Sequence, residues 1–264
     1  MIEHLPGIPG FTIAPHSHLG ETREVYRRGH GPAVIVMSEI PGITPQVAGF
    51  ASKVADAGFS VWMPQLFGTP LQPISAGYLA RSLAKICIGR EFSVLASNQS
   101  SPIVDWLRAL AREAHEACGG PGVGAIGMCL TGNFGLAMML DAPVIAPVLS
   151  QPSLPAAIPG KRAALHVSSA EIAAAHDKID RQGARILGLR FNGDFMCPAS
   201  RFKALQQEFG AAFEGISLDP KDANPDGFGK PHSVLTTHLI DEEGQPTRAA
   251  LDRTLAFLRA QLQR

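Results

Sequence analysis

Residues 123–128 form a short apolar run, Val-Gly-Ala-Ile-Gly-Met, and Cys129 follows it directly. Gly132 comes shortly afterwards, ahead of an apolar, helix-like segment over residues 134–140. The order of strand, sharp turn and helix places the cysteine at the carboxyl end of a strand, beside a helix N-terminus. Backbone N–H groups and the dipole at such an end favour negative charge, so they promote a thiolate and can hold an oxyanion. Cys129 is therefore a candidate nucleophile. Taken alone it is also an ordinary residue, because cysteine is among the most buried types and packs as a small hydrophobe. Gly127 and Gly132 could equally serve close helix–strand packing. The spacing is irregular too: a Gly-x-nucleophile-x-Gly elbow has glycine where Thr131 stands.

A thiol nucleophile needs a base in hydrogen-bond reach, and the base needs an orienting carboxylate. Asp194 follows the apolar run 185–191 in the turn Asn192-Gly193-Asp194. His232 lies in a polar, turn-rich loop after the run 213–218. Folds built on a strand–turn–helix elbow order the triad as nucleophile, acid, histidine, and Cys129, Asp194 and His232 keep that order. His166 and His176 compete as bases but precede Asp194. His238 competes from a stretch, 235–240, that reads as helix or strand rather than loop. Asn-Gly-Asp is by itself a common turn former.

Glu39 comes after a run of apolar residues, 33–37, where a solvated carboxylate is hard to explain. Glutamate is almost never fully buried without a partner. Burial would raise its pKa and suit it to take a proton from a thiol. The loop after the first central strand supplies one oxyanion-hole N–H in this kind of fold, and the residue after the nucleophile supplies the other. Ile40 and Leu130 are the candidates.

The elements that must position these groups follow from the rest of the chain. With 264 residues, 45% hydrophobic and 17% charged, the chain suits one globular domain over 1–264 with a large core. A formal net charge of +0 leaves no global attraction to nucleic acid or an anionic membrane. No apolar run is long enough to span a bilayer, and residues 1–7 do not read as a signal peptide. Cys87, Cys118, Cys129 and Cys197 are scattered without a Cys-x-x-Cys pair, which argues against a disulfide framework or zinc site and for a cytoplasmic location. His4, His16 and His18 lack a clearly placed third ligand, so they read as solvated surface histidines and no metal is expected.

Residues 1–32 read as an N-terminal extension with hairpin arms at 11–14 and 23–26. Buried strands are expected at 33–37, 59–63, 123–128, 143–149, 185–191 and 213–218, with a short one at 164–167. Helices are expected at 46–57, 78–96, 99–118, 170–182, 200–209 and from 246 onward. Residues 64–77 read as a long loop, often a functional feature. Strands alternating with helices predict a mostly parallel, doubly wound sheet with helices on both faces. Ligands bind such sheets at the carboxyl ends of the strands.

Glu39-Ile40-Pro41-Gly42, Gly127-Met128-Cys129-Leu130, Gly193-Asp194 followed by Pro198, and Pro231-His232-Ser233 together resemble the dienelactone hydrolase (carboxymethylenebutenolidase) family of α/β-hydrolases. The motifs keep the family's order across residues 33–233. The resemblance implies an α/β-hydrolase fold, a Cys129–His232–Asp194 triad, a role for Glu39 in holding and deprotonating the cysteine, and no metal or organic cofactor. Three departures stand out. Thr131 replaces an elbow glycine. Thr236 stands where the family has a substrate-anchoring arginine, which leaves Arg81 and Arg90, with Ser233, as candidate substrate contacts. Residues 150–182 are long enough to cap or reshape the pocket. The expected activity is cysteine-dependent hydrolysis of lactones or small carboxylic esters through a thioester acyl-enzyme, with a small-molecule substrate and no nucleic-acid or membrane partner. A non-catalytic small-molecule binder on the same fold, or a thiol redox protein using Cys129, are the alternatives.

Overall fold

Strands covered on both faces must be buried along their whole length. The central four strands of this protein are, and their apolar composition is what lets them form a sheet between two helix layers. A computed structural model describes residues 7–88, 101–154 and 162–263. The strands are β1 (Thr12–His18), β2 (Glu21–Arg28), β3 (Ala33–Met37), β4 (Ser60–Pro64), β5 (Val123–Met128), β6 (Val144–Ser150), β7 (Ile186–Phe191) and β8 (Phe213–Leu218). They form one sheet in the order β1-β2-β4-β3-β5-β6-β7-β8. β3, β5, β6 and β7 are buried at every position, whereas the edge strand β8 alternates. The β1–β2 hairpin joins antiparallel, and β3, β4, β5, β6, β7 and β8 run parallel. The N-terminal extension is thus part of the sheet, with longer arms than the sequence implies.

The helices are α1 (Pro45–Asp56), α2 (Ala76–Ile88), α3 (Pro102–Cys118), α4 (Phe134–Ala137), α5 (Ser169–Gln182), α6 (Ala199–Phe209) and α7 (Pro246–Leu262). Their starts follow local chemistry. Thr44 caps α1 by accepting from Val47 N–H at 3.3 Å, with Pro45 in the first turn, where its missing N–H costs nothing. Ser168 and Glu171 form a reciprocal capping box at α5. The carboxylate of Glu171 then meets Arg108 of α3 at 2.6 Å, with only 2% of the glutamate side chain exposed. Arg108 also donates to Ala137 O of α4 and to Asp105, so one buried guanidinium ties three helices together. Removing one member of a buried pair strands the other's charge. Arg108→Met is expected to lower unfolding free energy by about 3 kcal/mol, and Arg108→Met with Glu171→Leu to recover most of it, as read from urea denaturation.

Three expectations change. Residues 164–167 are not a strand, because His166 adopts φ +58°, outside the extended region. Residues 234–238 form turns rather than helix or strand. His16 is not a solvated surface histidine. It is 8% exposed, bonded through Nδ1 to Glu113 of α3 and packed edge-on to Trp106 with ring centroids 4.9 Å apart. Among the described residues no cluster of His, Cys, Asp and Glu is placed to hold a metal ion. No described helix is long and apolar enough to cross a membrane. His4 and residues 89–96 of the expected second helix lie outside the described residues. Helix α5 packs on α4 and β6, so the described part of the stretch 150–182 that reaches the pocket is the segment just after β6.

Candidate active site

Strand β5 delivers Cys129 to the carboxyl edge of the sheet, and the chain turns there at once. Cys129 has φ +54°, a left-handed conformation that costs a non-glycine residue of order 1–3 kcal/mol. The turn is compact on both sides. A Cβ on Gly127 would lie 2.0 Å from Thr131 O, and one on Gly132 would lie 2.4 Å from Pro152 Cα. Glycine is therefore needed at 132, where the turn meets the segment after β6, rather than at 131. Thr131 is fully buried. Its hydroxyl accepts from Met128 N–H at 2.9 Å and lies 3.2 Å from Met37 O at the end of β3. The threonine pins the elbow to the neighbouring strand. Thr131→Val leaves the Met128 N–H without its buried acceptor and is expected to cost about 2 kcal/mol of stability, read as a lower denaturation midpoint at unchanged m. The segment after Cys129 is a 3-10 turn followed by the four-residue α4, shorter than the expected helix. A long helix dipole is therefore not what faces the sulfur.

β7 ends at Phe191, and the following turn presents Asp194. The loop after β8 presents His232. Asp194 Oδ2 lies 2.7 Å from His232 Nδ1, with both residues 9% exposed. Asp194 Oδ1 accepts from Met196 N–H at 2.9 Å. Burial works against ionisation of Asp194, but the bond and charge of His232 and the Met196 and Cys197 amides outweigh it and hold the carboxyl below its usual range. At His232, burial works against the charged ring. The Cys129 charge, the Asp194 and Cys129 hydrogen bonds and the Asp194 charge override it and raise the imidazole well above its ordinary value. Asp194 thus holds the ring at Nδ1, and Cys129 lies near enough to raise its pKa. Ser153 Oγ, 3.5 Å from Nε2, is a further polar neighbour.

His238, a competing base from sequence, does other work. Its Nδ1 accepts from Ser233 N–H at 3.2 Å and lies 3.4 Å from His232 N, so it holds the histidine loop in place. Burial, then the neighbouring His232, lowers its pKa and keeps it neutral for that task. His176 pairs with Glu208 at 2.9 Å on the surface, away from the pocket.

Glu39 sits at the end of β3, 4% exposed, and lines the same cavity as Cys129. Its carboxylate accepts from Ser233 Oγ at 2.6 Å, from Gln151 Nε2 at 3.1 Å and from Thr236 Oγ1. The residue is thus paired through neutral donors. Ser233, expected as a substrate contact, spends its hydroxyl on Glu39. Thr236, at the position where the resemblance expects an arginine, binds the glutamate as well. Gln151 and Thr236 carry no local sequence signal. Arg201 was also silent. It is 1% exposed and donates to Ala164 O at 3.2 Å, Met196 O at 3.0 Å and Pro152 O, fastening the segment after β6 to the Asp194 turn.

These groups open into a cavity of about 720 Å³ at the strand ends. Ile40 and Leu130 line it. Arg81 is exposed on α2 and does not line the cavity; the same helix offers Leu79 and Leu83 instead. Arg90 lies outside the described residues. Cys197, close by, is fully buried, and burial, then Asp194, pushes its thiol up to about 12, which leaves Cys129 as the thiol facing the cavity.

The fold has many relatives. A family model for the dienelactone hydrolase family matches residues 21–219. Among solved structures, one from Klebsiella pneumoniae described as a dienelactone hydrolase superposes with TM-score 0.59 at 19% identity, covering 94% of this chain and 98% of that one. A dienelactone hydrolase-like promiscuous phosphotriesterase from metagenomic libraries gives TM-score 0.57 at 16% identity over 94% and 96%. A dienelactone hydrolase from Anabaena variabilis gives 0.56 at 15% identity over 96% and 98%. At these identities the structures speak for the fold. No curated protein matches the sequence. The family match spans most of the chain and the sheet order agrees with it, so this chain belongs to the dienelactone hydrolase family and is an α/β-hydrolase of ester or lactone bonds.

Proposed function

We propose that the protein is a cytosolic, cysteine-dependent hydrolase of lactones or small esters working through a thioester. The observation that supports this best is Asp194 holding His232 Nδ1 at 2.7 Å in the cavity that Cys129 lines. In the reading, His232 takes the Cys129 proton and the thiolate attacks the substrate carbonyl carbon. The tetrahedral oxyanion takes hydrogen bonds from Ile40 and Leu130 N–H, each donor worth about 3 kcal/mol in such sites. The C–O bond breaks as His232 Nε2–H protonates the leaving alkoxide, which leaves a Cys129 thioester and a neutral imidazole. That imidazole takes a proton from water as the water attacks the thioester. Collapse of the second intermediate releases the acid and returns the thiolate beside the protonated ring. Asp194 fixes the ring's tautomer and balances its charge throughout. Glu39, clamped by Gln151, Ser233 and Thr236, holds the Ser233 loop next to His232.

Rapid mixing with p-nitrophenyl acetate tests the reading. A burst of nitrophenol with an amplitude matching the protein concentration, then a slower steady rate, is expected, because the thioester forms faster than it hydrolyses. Steady release without a burst in Cys129→Ala at the wild-type rate would overturn it.

A further inference from the structure

The charged residues lining the cavity are few. Glu39, Asp194 and His232 are buried and hydrogen-bonded, and Lys230, an exposed side chain, is the lysine among the described lining residues. Arg162 stacks on the Phe195 ring at 5.2 Å and is not a lining residue. Much of the remaining wall is apolar, from Ile40, Ile74, Leu79 and Leu130 to Leu154, with Ser153, Asn192, Ser233 and His238 as polar members.

The rim is apolar too, and that is unusual for a surface. Large hydrophobic side chains exposed together mark a binding site on a soluble protein. The described exposed ones are Ile13, Leu19, Leu83, Phe195, Met196 and Phe228. Ile13 and Leu19 belong to the β1–β2 hairpin. Leu83, Phe195, Met196 and Phe228 all line the catalytic cavity, at 43%, 63%, 41% and 39% exposure. They come from three separate segments: α2, the turn after β7 and the loop after β8. Packing of the core does not require any of them to point outward. Their convergence on one opening gives an apolar track from solvent to Cys129.

The geometry points to an uncharged ester or lactone with a sizeable aliphatic or aryl part as the substrate class, the apolar part lying along Leu83, Phe195, Met196 and Phe228. This rests on the hydrolase reading above, and concerns what the site accepts rather than how it reacts. A carboxylated substrate would instead bring its charge beside the Glu39 and Asp194 carboxyls and a largely apolar wall, with Lys230 as the lysine on offer.

The test compares two series on the intact protein: p-nitrophenyl acylates from acetate to octanoate, and γ-lactones from γ-butyrolactone to γ-decalactone. A fully buried methylene is worth about fourfold. Allowing for the open rim, kcat/KM is expected to rise by at least about 30-fold along one or both series. The p-nitrophenyl ester of an eight-carbon ω-carboxylated acid should fall at least about tenfold below the octanoate. In a Phe195→Ser/Phe228→Ser variant the octanoate-to-acetate ratio should drop about fivefold, a readout that a merely less stable protein would not move. Flat profiles in both series, or a preference for the carboxylated ester, would overturn the inference. Should no ester or lactone be hydrolysed, calorimetry with octanamide and acetamide separates the two ideas. Tighter binding of octanamide would leave the apolar site standing while the catalytic reading falls, and equal or absent binding of both would overturn the inference.

Discussion

Cys129→Ala lowers kcat for p-nitrophenyl esters by about 10⁴-fold or more, the loss expected when a covalent nucleophile is removed and only the oxyanion donors and binding remain. Cys129→Ser does not rescue it, because the hydroxyl needs far more help to lose its proton than a thiol does. Stability behaves differently, and the difference separates a nucleophile from a core residue. Cys129 is held at φ +54°. Glycine accepts that conformation without strain, so Cys129→Gly is expected to raise unfolding free energy by about 1 kcal/mol while abolishing turnover. A cysteine kept for packing would show the reverse, with lost stability and retained rate. Thermal melts beside steady-state kinetics on the three variants read both quantities.

Asp194→Asn is expected to lower kcat by about 10³- to 10⁴-fold, since an amide lets the histidine take the wrong tautomer. It also changes the pH dependence of stability, with a definite sign. Asp194 is held below its ordinary value, so its contribution is present above the unfolded aspartate pKa and disappears as pH falls through the lower folded value. The acid window concerned lies below about pH 4. His232 is raised, so its contribution is complete below the unfolded histidine pKa of about 6.5 and disappears as pH rises through the higher folded value. Asp194→Asn removes the first loss and shrinks the second. Urea midpoints measured across pH should therefore vary less in the variant than in the native protein on both flanks. Cys129→Ala acts on the alkaline flank alone: without the sulfur only Asp194 opposes burial, and the His232 pKa falls. Proton NMR of the His232 ring should record that fall, and an unchanged titration would show that the sulfur does not face the ring.

Much of this site is legible in the sequence because strand ends are. Cys129, Glu39 and Asp194 each follow an apolar run directly or within a few residues, His232 lies in the long loop after β8, and the parallel sheet brings all such strand ends to one edge. The groups that hold Glu39 are not legible in the same way. Gln151 and Thr236 are 112 and 197 residues from it in the chain, and nothing local marks a buried amide or hydroxyl as the partner of one distant carboxylate. His16 is hidden for the same reason, its partner Glu113 lying 97 residues on. An arginine on an amphipathic helix shows its charge in sequence but not which face meets the pocket, and Arg81 is exposed outside the cavity lining. The run 164–167 misled because composition favours a strand while His166 takes a left-handed conformation there.

Thr131 shows how a departure from a motif can be read physically. The elbow needs glycine where backbones collide, and in this chain the collision falls at Gly132 against Pro152. Position 131 is then open to a side chain that ties the turn to β3. The family's arginine at the position of Thr236 has a comparable fate. A neutral hydroxyl now contacts Glu39, which satisfies the carboxylate without a cation that a substrate carboxylate could share.

The central claim is a thioester on one sulfur. Acid-quenching the protein milliseconds to seconds after mixing with p-nitrophenyl acetate, then mapping the acyl group by peptide mass spectrometry, tests it most directly. The expected result is an acetyl group on the peptide containing Cys129 that appears with the burst, decays at the steady-state rate and is absent in Cys129→Ala. Ester turnover with no acyl group on Cys129, or with a stable acyl group on another residue, would contradict it.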